Sequence, residues 1–462
     1  MADLHPDWDS LTLRADDLLK RLFPLCRSIT GGGLRATLSL LQNYTDFSLA
    51  EVPSGTASYD WTVPDEWNVH DAFVADSAGC RVIDFQASNV HLVNYSIPFK
   101  GVLTFSELAP HLHTLPDLPD AIPYRTTYYK RDWGFCLTHE QFRKLDKNGK
   151  YHVVVDTTLA PGSLTYGEAL LPGKSGQEYL LSTYACHPSL ANDNLSGVVL
   201  WALLLAEMRK LPLHHSYRFV IAPETIGALA YTARNEAAVR TLAGGFVVTT
   251  VAGPGRFGYK STWRGNSVID RAVRLTFHEL NLDYVEYPFD VNGSDERQYS
   301  TPGLRVPVGT ICKDKYYEYL YYHTSLDNLD FISAANLVET LKLYWLAIEK
   351  LEQNRTYRSR NPIGEPMLGK RGLYPQTGGA VKQKAANAAI HAKRGYEVEN
   401  TLQGRVGNIL YGNELDAIRW VLFYADGVTP LLDVAERTSL PVKQLHEAAE
   451  KLVTGGLLEQ IG

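Results

Sequence analysis

Long apolar runs are missing from this chain of 462 residues. The most apolar stretch, around Val198 to Ala206, falls well short of the roughly 20 residues that span a bilayer. It is expected as a buried core helix, and no membrane partner is expected. Cysteine is scarce: Cys26, Cys80, Cys136, Cys186 and Cys312 are too scattered for a disulfide framework and include no C-x-x-C pair. The opening Met1-Ala-Asp-Leu-His-Pro-Asp-Trp8 has neither a basic start nor an apolar run, so no secretory signal is expected. These absences point to a reduced, cytoplasmic protein. A surplus of positive charge is also absent, and a net charge of -6 gives no general reason to expect nucleic acid or an anionic membrane. What is present is the composition of a globular protein, with 45% hydrophobic and 21% charged residues. The length predicts two or three domains.

The stretch Tyr184-Ala-Cys-His-Pro-Ser-Leu-Ala-Asn-Asp-Asn-Leu-Ser-Gly197 sets His187 and Asp193 between a strand-like run and the apolar helix. Open α/β sheets build their sites there. Taken alone it has two readings, since a His and an Asp in this position also orient a loop and cap the helix that follows. Ala222-Pro-Glu-Thr-Ile-Gly227 and Tyr321-Tyr-His-Thr-Ser-Leu-Asp-Asn328 add Glu224 and His323. Two imidazoles, a carboxylate and a spare glutamate meet the needs of a hydrolytic zinc site: three N/O ligands, a coordination position left for water, and a base beside it. Glu224 has its own structural reading, because acidic residues favour a helix start such as the one after Pro223. Cys186 adjoins His187, but neighbours on a strand point to opposite faces, so a catalytic thiol is not expected.

Along the chain, Leu11 to Cys26 and Leu34 to Tyr44 read as opening helices separated by the breaker Thr30-Gly-Gly-Gly33. Phe47 to about Leu137 holds short β-like runs among Pro, Gly and Asp. Within it, the aromatic and basic run Tyr124 to Cys136 is expected to pack where this region docks, rather than to stack on bases. From Tyr151 the pattern becomes strand, loop, helix, repeated: strands at Tyr151 to Asp156, Glu178 to Tyr184, Tyr217 to Ile221 and Gly245 to Thr250, and helices at Asn194 to Leu211, Ile226 to Asn235, Val268 to Leu280 and Ala334 to Gln353. Such alternation predicts an α/β fold with a mainly parallel sheet covered by helices. His187, Asp193 and Glu224 then all follow strands, on one edge.

Eight short motifs carry a resemblance: Leu25-Cys-Arg-Ser-Ile-Thr-Gly31, Ile122-Pro-Tyr124, Trp133-Gly-Phe-Cys136, Cys186-His-Pro188, Asn192-Asp-Asn-Leu-Ser-Gly197, Pro223-Glu-Thr-Ile-Gly227, Gly293-Ser-Asp-Glu-Arg-Gln-Tyr299 and Tyr322-His-Thr-Ser-Leu-Asp-Asn328. Nearly from end to end, the chain resembles a bacterial aminopeptidase-like family found near polysaccharide or secondary-metabolite genes. That family is related to the zinc aminopeptidase and glutamate carboxypeptidase clan. The resemblance implies N-terminal helices of a peptidase-like domain over 1–46, an inserted β-rich domain over 47–137, the peptidase-like α/β domain over 138–354 and a winged helix over 413–462. It implies His187 and His323 as metal ligands, Asp193 as the carboxylate that bridges two metals in the clan, and Glu224 as general base.

The departures from the clan are specific. Thr225 stands where a second metal-binding glutamate follows the base, Ser189 stands where an acidic residue follows the first histidine, and no acidic residue lies between Glu236 and Asp270 to supply an aspartate from a later strand. The expected site is therefore a single Zn2+ held by His187, Asp193 and His323, with water as fourth ligand. Asp295 and Arg297, in a Gly-Ser loop, are candidates for binding substrate, Arg297 through a bidentate carboxylate clamp. Asp327 is expected to orient the His323 loop by hydrogen bonding.

Residues 355–412 carry ten Lys/Arg against three acidic residues and read as a basic connecting segment. From Asn413 onward there are four Lys/Arg and eight Asp/Glu, a balance that repels a nucleic acid duplex. The expected role of the winged helix is packing or homo-oligomer formation. Two functions stand. One is a zinc hydrolase of amide bonds, aminopeptidase-like or amidohydrolase, acting on a short peptide or small acylated metabolite. The other is a non-catalytic relative that binds or regulates.

Overall fold

The computed structural model describes residues 5–373 and 414–461. They fall into two units. The larger ends at Asp270, resumes over Asp283–Trp345 and opens with α1 (Trp8–Leu22) and α2 (Gly32–Gln42). α1 starts where the Asp7 side chain accepts from Ser10 N (3.1 Å), and it buries Leu11, Ala15, Leu18 and Leu22 at helical spacing. The break before α2 needs glycine. Gly31 has φ +96°, and a Cβ there would lie 1.9 Å from Trp67 O.

After α2 the chain forms β1 (Ser48–Pro53), leaves for the strands β2 (Glu66–Ala75), β3 (Arg81–Asp84), β4 (Phe99–Thr104) and β5 (Lys150–Ala160), and returns as β6 (Ser163–Leu171). β2 to β5 make an antiparallel sheet in the order β3-β2-β5-β4. Two boundaries differ from the sequence expectation. Ser48–Pro53, placed with the β-rich region, pairs antiparallel with β6 at the edge of the main sheet. The Tyr151 to Asp156 strand, placed in the α/β repeat, belongs to the small sheet instead. Its burial explains why: Tyr151, Val153 and Val155 are buried while His152 and Asp156 are exposed. That alternation marks a strand covered on one face only, whereas a strand inside a parallel sheet is covered on both.

The chain continues with β7 (Glu178–Tyr184), α3 (Gly197–Met208), β8 (Ser216–Ala222), α4 (Ile226–Val239), β9 (Gly244–Val247), β10 (Phe257–Lys260), α5 (Val268–Glu279), β11 (Tyr284–Tyr287), β12 (Val308–Lys313) and α6 (Ala334–Gln353), of which α5 from Arg271 and α6 from Leu346 belong to the second unit. The main sheet has eight strands in the order β1-β6-β8-β7-β9-β12-β10-β11. The central four, β8-β7-β9-β12, are parallel. α3 is the helix expected in the core, with every residue from Gly197 to Leu205 buried. Among the described residues no helix is long and apolar enough to cross a membrane. Because the four central strands share one direction, the loops after β7, β8, β9 and β12 leave from the same edge.

The second unit includes β13 (Thr356–Ser359), α7 (Glu414–Phe423), β14 (Asp426–Pro430), α8 (Leu431–Thr438), α9 (Val442–Thr454) and β15 (Leu458–Gln460). Three helices and an antiparallel sheet in the order β14-β13-β15 make a winged helix around Ile418, Leu432, Leu445 and Leu452. Its middle strand comes from the stretch read as a connecting segment. Tyr357 explains this, being buried with its hydroxyl donating to Glu450 Oε1 (3.1 Å). Of that basic segment, residues 374–412 lie outside the described residues.

Candidate active site

The chain leaves β7 at Tyr184 and reaches His187 in a buried loop. It then makes an irregular turn over Ala191–Ser196 before α3 begins. Asp193 sits in this turn in a non-helical conformation (φ -110°, ψ 91°). Two groups hold the turn. The Asp327 carboxylate accepts from Asn192 N (2.6 Å) and Asp193 N (3.0 Å), and Asn194 Nδ2 donates to Tyr184 O (3.0 Å). The Asp193 side chain is fixed in turn by Tyr184, whose hydroxyl lies 2.5 Å from Oδ1 and 2.7 Å from Thr249 Oγ1.

Asp193 Oδ2 is left facing two imidazoles, with His187 Nε2 at 4.0 Å and His323 Nε2 at 2.9 Å. His323 arrives on the long loop after β12. Its backbone is at φ +56°, its carbonyl accepts from Tyr124 N (2.8 Å), and Tyr322 stacks on its ring at 4.0 Å. Tyr124 presents its ring to both imidazoles, at 5.2 Å from His187 and 5.1 Å from His323. The aromatic run that begins at Tyr124 thus packs, as expected, and part of what it packs against is the site.

The trio fits a metal ion. One ligand atom from each of His187, Asp193 and His323 lies within 4.8 Å of the others. Asp193 Oδ2 and His323 Nε2 are buried, and despite their approach neither has a hydrogen-bond partner. Two unpartnered polar atoms aimed at one point would be costly unless a cation satisfied both. Their protonation also suits a metal. Burial lowers His187 to about 4, so its imidazole is neutral. Burial opposes ionisation of Asp193, but His187, His323 and the Tyr184 hydroxyl outweigh it and bring the carboxyl down to about 2. Neither ligand need lose a proton on binding near neutral pH.

Glu224 follows β8 and Pro223. Its turn is unusual, because Thr225 is β-branched yet has φ +61° and ψ -76°. The Asp295 carboxylate holds it there, accepting from Thr225 N at 2.8 Å. Glu224 N points at Cys186 Sγ (3.4 Å), and a Glu224 oxygen lies within 4.8 Å of ligand atoms of His187 and Cys186. Burial, then the charges of Asp295 and Asp193, raise the Glu224 carboxyl well above the ordinary range.

Cys186 and His187 are not neighbours on a strand, contrary to the sequence expectation. The strand has ended at Tyr184, so the two need not point apart, and Cys186 Sγ comes to 3.8 Å from His187 Nδ1. The thiol nevertheless stays protonated, because burial and then the charge of Glu224 raise it well above its usual value. A thiolate nucleophile is not available there.

Of the two substrate-binding candidates, Asp295 is buried and engaged with Thr225 N, so it sets the turn carrying Glu224. Arg297 is exposed and donates to Val291 O (3.2 Å) within its own loop. Asp327 was expected to orient the His323 loop. It reaches from that loop to the Asp193 turn and also accepts from Tyr319 OH (2.8 Å). Ser189 does not take the place of a ligand: its hydroxyl donates to Phe23 O (2.6 Å) and accepts from Asn89 Nδ2 (2.8 Å).

Asp295 makes a testable pH dependence. Burial lifts its carboxyl from 3.8 to about 7, so the folded chain keeps a proton that the unfolded chain releases. The stability this group contributes is complete below about pH 4 and is lost as pH rises through about 7. Asp295→Asn keeps an oxygen for Thr225 N and removes both this titration and the charge that helps raise Glu224, two changes that act in the same direction as pH rises. In urea melts of metal-free protein from pH 4 to 8, the variant should gain stability relative to the parent as pH rises. An unchanged difference across that range would contradict this.

Arg27 is the most consequential residue that sequence reasoning missed. It is 2% exposed, and its guanidinium donates to His187 O (2.8 Å), Pro188 O (2.7 Å) and Leu22 O (2.7 Å). A charged residue inside Leu25-Cys-Arg-Ser-Ile-Thr-Gly31, between an apolar helix and a glycine turn, was the available signal. Arg27→Met should cost about 1–3 kcal/mol by leaving His187 O without its donor, while Leu22 O and Pro188 O keep the backbone N–H groups of Leu25 and Leu190. Denaturant melts at constant zinc would read this. A loss below about 0.5 kcal/mol, typical of a surface change, would refute it.

A mainly parallel sheet whose carboxyl edge gathers two imidazoles and a carboxylate is an aminopeptidase-like fold related to the zinc peptidases. The structure is similar to BSAP, a zinc aminopeptidase from Bacillus subtilis, with a TM-score of 0.56 over 76% of this chain and 96% of that one; at 12% identity the likeness shows the fold alone. Residues 16–354 match the family described as "Domain of unknown function (DUF4910)", and the chain belongs to that family. Residues 355–392 and 401–460 match a winged helix-turn-helix family. A Clostridium acetobutylicum protein, named as a candidate polysaccharide biosynthesis protein with an aminopeptidase-like domain, is 40% identical over 445 residues, 96% of each chain. The crystal structure of a candidate peptidase from Clostridium acetobutylicum superposes with a TM-score of 0.85 at 38% identity, covering 98% of both chains.

Proposed function

We propose that this chain is a zinc-dependent hydrolase of amide bonds, with His187, Asp193 and His323 holding one ion and Glu224 acting as general base. The observation that carries this reading is the convergence of three ligand atoms within 4.8 Å, two from the loop after β7 and one from the loop after β12, with Glu224 beside His187. A bound zinc would polarise the scissile carbonyl and lower the pKa of water from ~15.7 towards ~7.

The remaining steps belong to the chain's own groups. Glu224 takes the proton of the attacking water and returns it to the leaving nitrogen, from a position beside His187. Asp295 fixes the Thr225 turn, so that the Glu224 carboxyl is not free to swing away. Tyr184 and Asp327 hold the Asp193 turn, and Arg27 holds the backbone of His187. Tyr124 and Tyr322 pack beside the imidazoles and limit the water around them. Arg297, exposed on its loop, is the group we assign to a substrate carboxylate.

The substrate class is a short peptide or a small acylated metabolite, and the compartment is the cytoplasm, where five free cysteines remain reduced. The missing acidic residues at Ser189 and Thr225 favour a second reading, a non-catalytic binding or regulatory protein. A panel of aminoacyl p-nitroanilides and N-acyl amides, assayed on zinc-loaded protein, separates the two. Hydrolysis that stops on chelation and returns with zinc supports the hydrolase. A fully zinc-loaded protein inert on the whole panel supports the second reading.

A further inference from the structure

A cavity of about 950 Å³ lies between the end of α1, the start of α2, the β-rich sheet and the loops after β7 and β12. Its walls include Ser189, two residues past His187, and Ser325, two residues past His323, yet none of His187, Asp193, Glu224 or His323 lines it. It is therefore a separate site that touches both ligand-bearing loops. The volume is at the upper end of the ~300–1,000 Å³ typical of small-molecule sites.

The lining decides what fits. Among the described residues, none of those around the cavity is Lys, Arg, Asp or Glu. An anion would find no lysine or arginine, only the imidazole of His70, and the first N–H of α2, at Gly32, is already taken by Asn68 Oδ1 at 2.7 Å. A cation would find no carboxylate. A purely apolar ligand would cover the hydroxyls of Ser88 and Thr158 and the amide of Asn328 without replacing their water. Asn328 already accepts from Asp330 N (2.9 Å) and Phe331 N (3.2 Å) through Oδ1, which leaves its Nδ2 as a donor. Alongside these polar groups stand the rings of Phe23 and Phe85. A neutral molecule with a hydroxyl edge and a C–H face answers both sets, and a pyranose has that form.

We propose that this cavity binds an uncharged mono- or disaccharide unit. The claim is independent of the zinc chemistry, and its test reads binding rather than turnover. Full-length protein, with and without zinc, is titrated calorimetrically with N-acetylglucosamine and its β-1,4-linked disaccharide. Glucosamine and glucuronate serve as cationic and anionic controls, and N-acetylglycylglycinamide as a blocked peptide. The neutral sugars should bind at least about tenfold more tightly than all three controls. Ala87→Trp, which fills the cavity from an exposed position on its wall, should weaken that binding at least about tenfold at unchanged zinc content. Phe85→Ala, checked by thermal melting for a native fold, should do the same by removing the ring. Absence of saturable binding by either neutral sugar overturns the proposal. So does preference for a charged sugar or the blocked peptide, or affinity unchanged in both variants.

Discussion

Glu224→Gln should leave zinc in place and lower the rate of amide hydrolysis by ~10²–10⁴, the usual worth of a general base. The carboxamide matches the carboxylate in shape but cannot take up the proton of the attacking water. The backbone around it should not move, because Asp295 holds Thr225 N and Cys186 receives Glu224 N, and neither contact uses the Glu224 side chain. Zinc should stay because the ligand trio we propose, His187, Asp193 and His323, does not include Glu224. The paired readout of kcat and metal content is what gives this substitution its force. Zinc lost along with activity would make Glu224 a ligand and leave the reaction without its base.

His323→Ala should remove the metal. Three protein ligands are the minimum of a catalytic zinc site, and the two that remain would hold the ion weakly. Changing a hydrogen-bond partner of a ligand costs 10–100-fold in affinity, so deleting the ligand itself should cost more than about 100-fold. His187→Ala should do the same to the metal but damage the fold as well, since the His187 side chain is 6% exposed against 35% for His323. His323 is therefore the cleaner test. Its removal should abolish hydrolysis and zinc retention while thermal melting of the metal-free protein changes little. A variant that still binds zinc at parental affinity would break the ligand assignment.

The parts of this site that a sequence reader can find are those in which chemistry and position coincide. His187, Asp193 and Glu224 each follow a predicted strand, and a shared sheet direction was enough to bring them to one edge. His323 was found through its motif, and its approach to Asp193 depends on a long loop whose path nothing local dictates. The supporting groups were harder. Arg27 lies 160 residues from the His187 carbonyl it holds, and no periodicity or cap announces such a contact. Tyr184 reads as an ordinary strand residue until its hydroxyl is seen on Asp193. The charge of Asp295 suggests a substrate contact, because a sequence does not show that the backbone N–H of Thr225 awaits an acceptor.

Helices were the most legible elements of the fold. α6 begins and ends where the 3.6-residue pattern does, and α1 and α3 differ from their expected spans by only a few residues. Strands were less so. β10 and β11 have four residues each, too few for alternation to stand out, and β1 belongs to a different sheet from the strands that follow it. Which sheet a strand joins is a long-range choice, and the half-buried pattern of β5 is the kind of local trace that records it.

The most direct test of the central claim is X-ray diffraction from crystals of the zinc-loaded protein, measured on both sides of the zinc absorption edge. One anomalous peak is expected at ~2.0–2.2 Å from His187 Nε2, Asp193 Oδ2 and His323 Nε2. No peak among those three atoms at saturating zinc would contradict it.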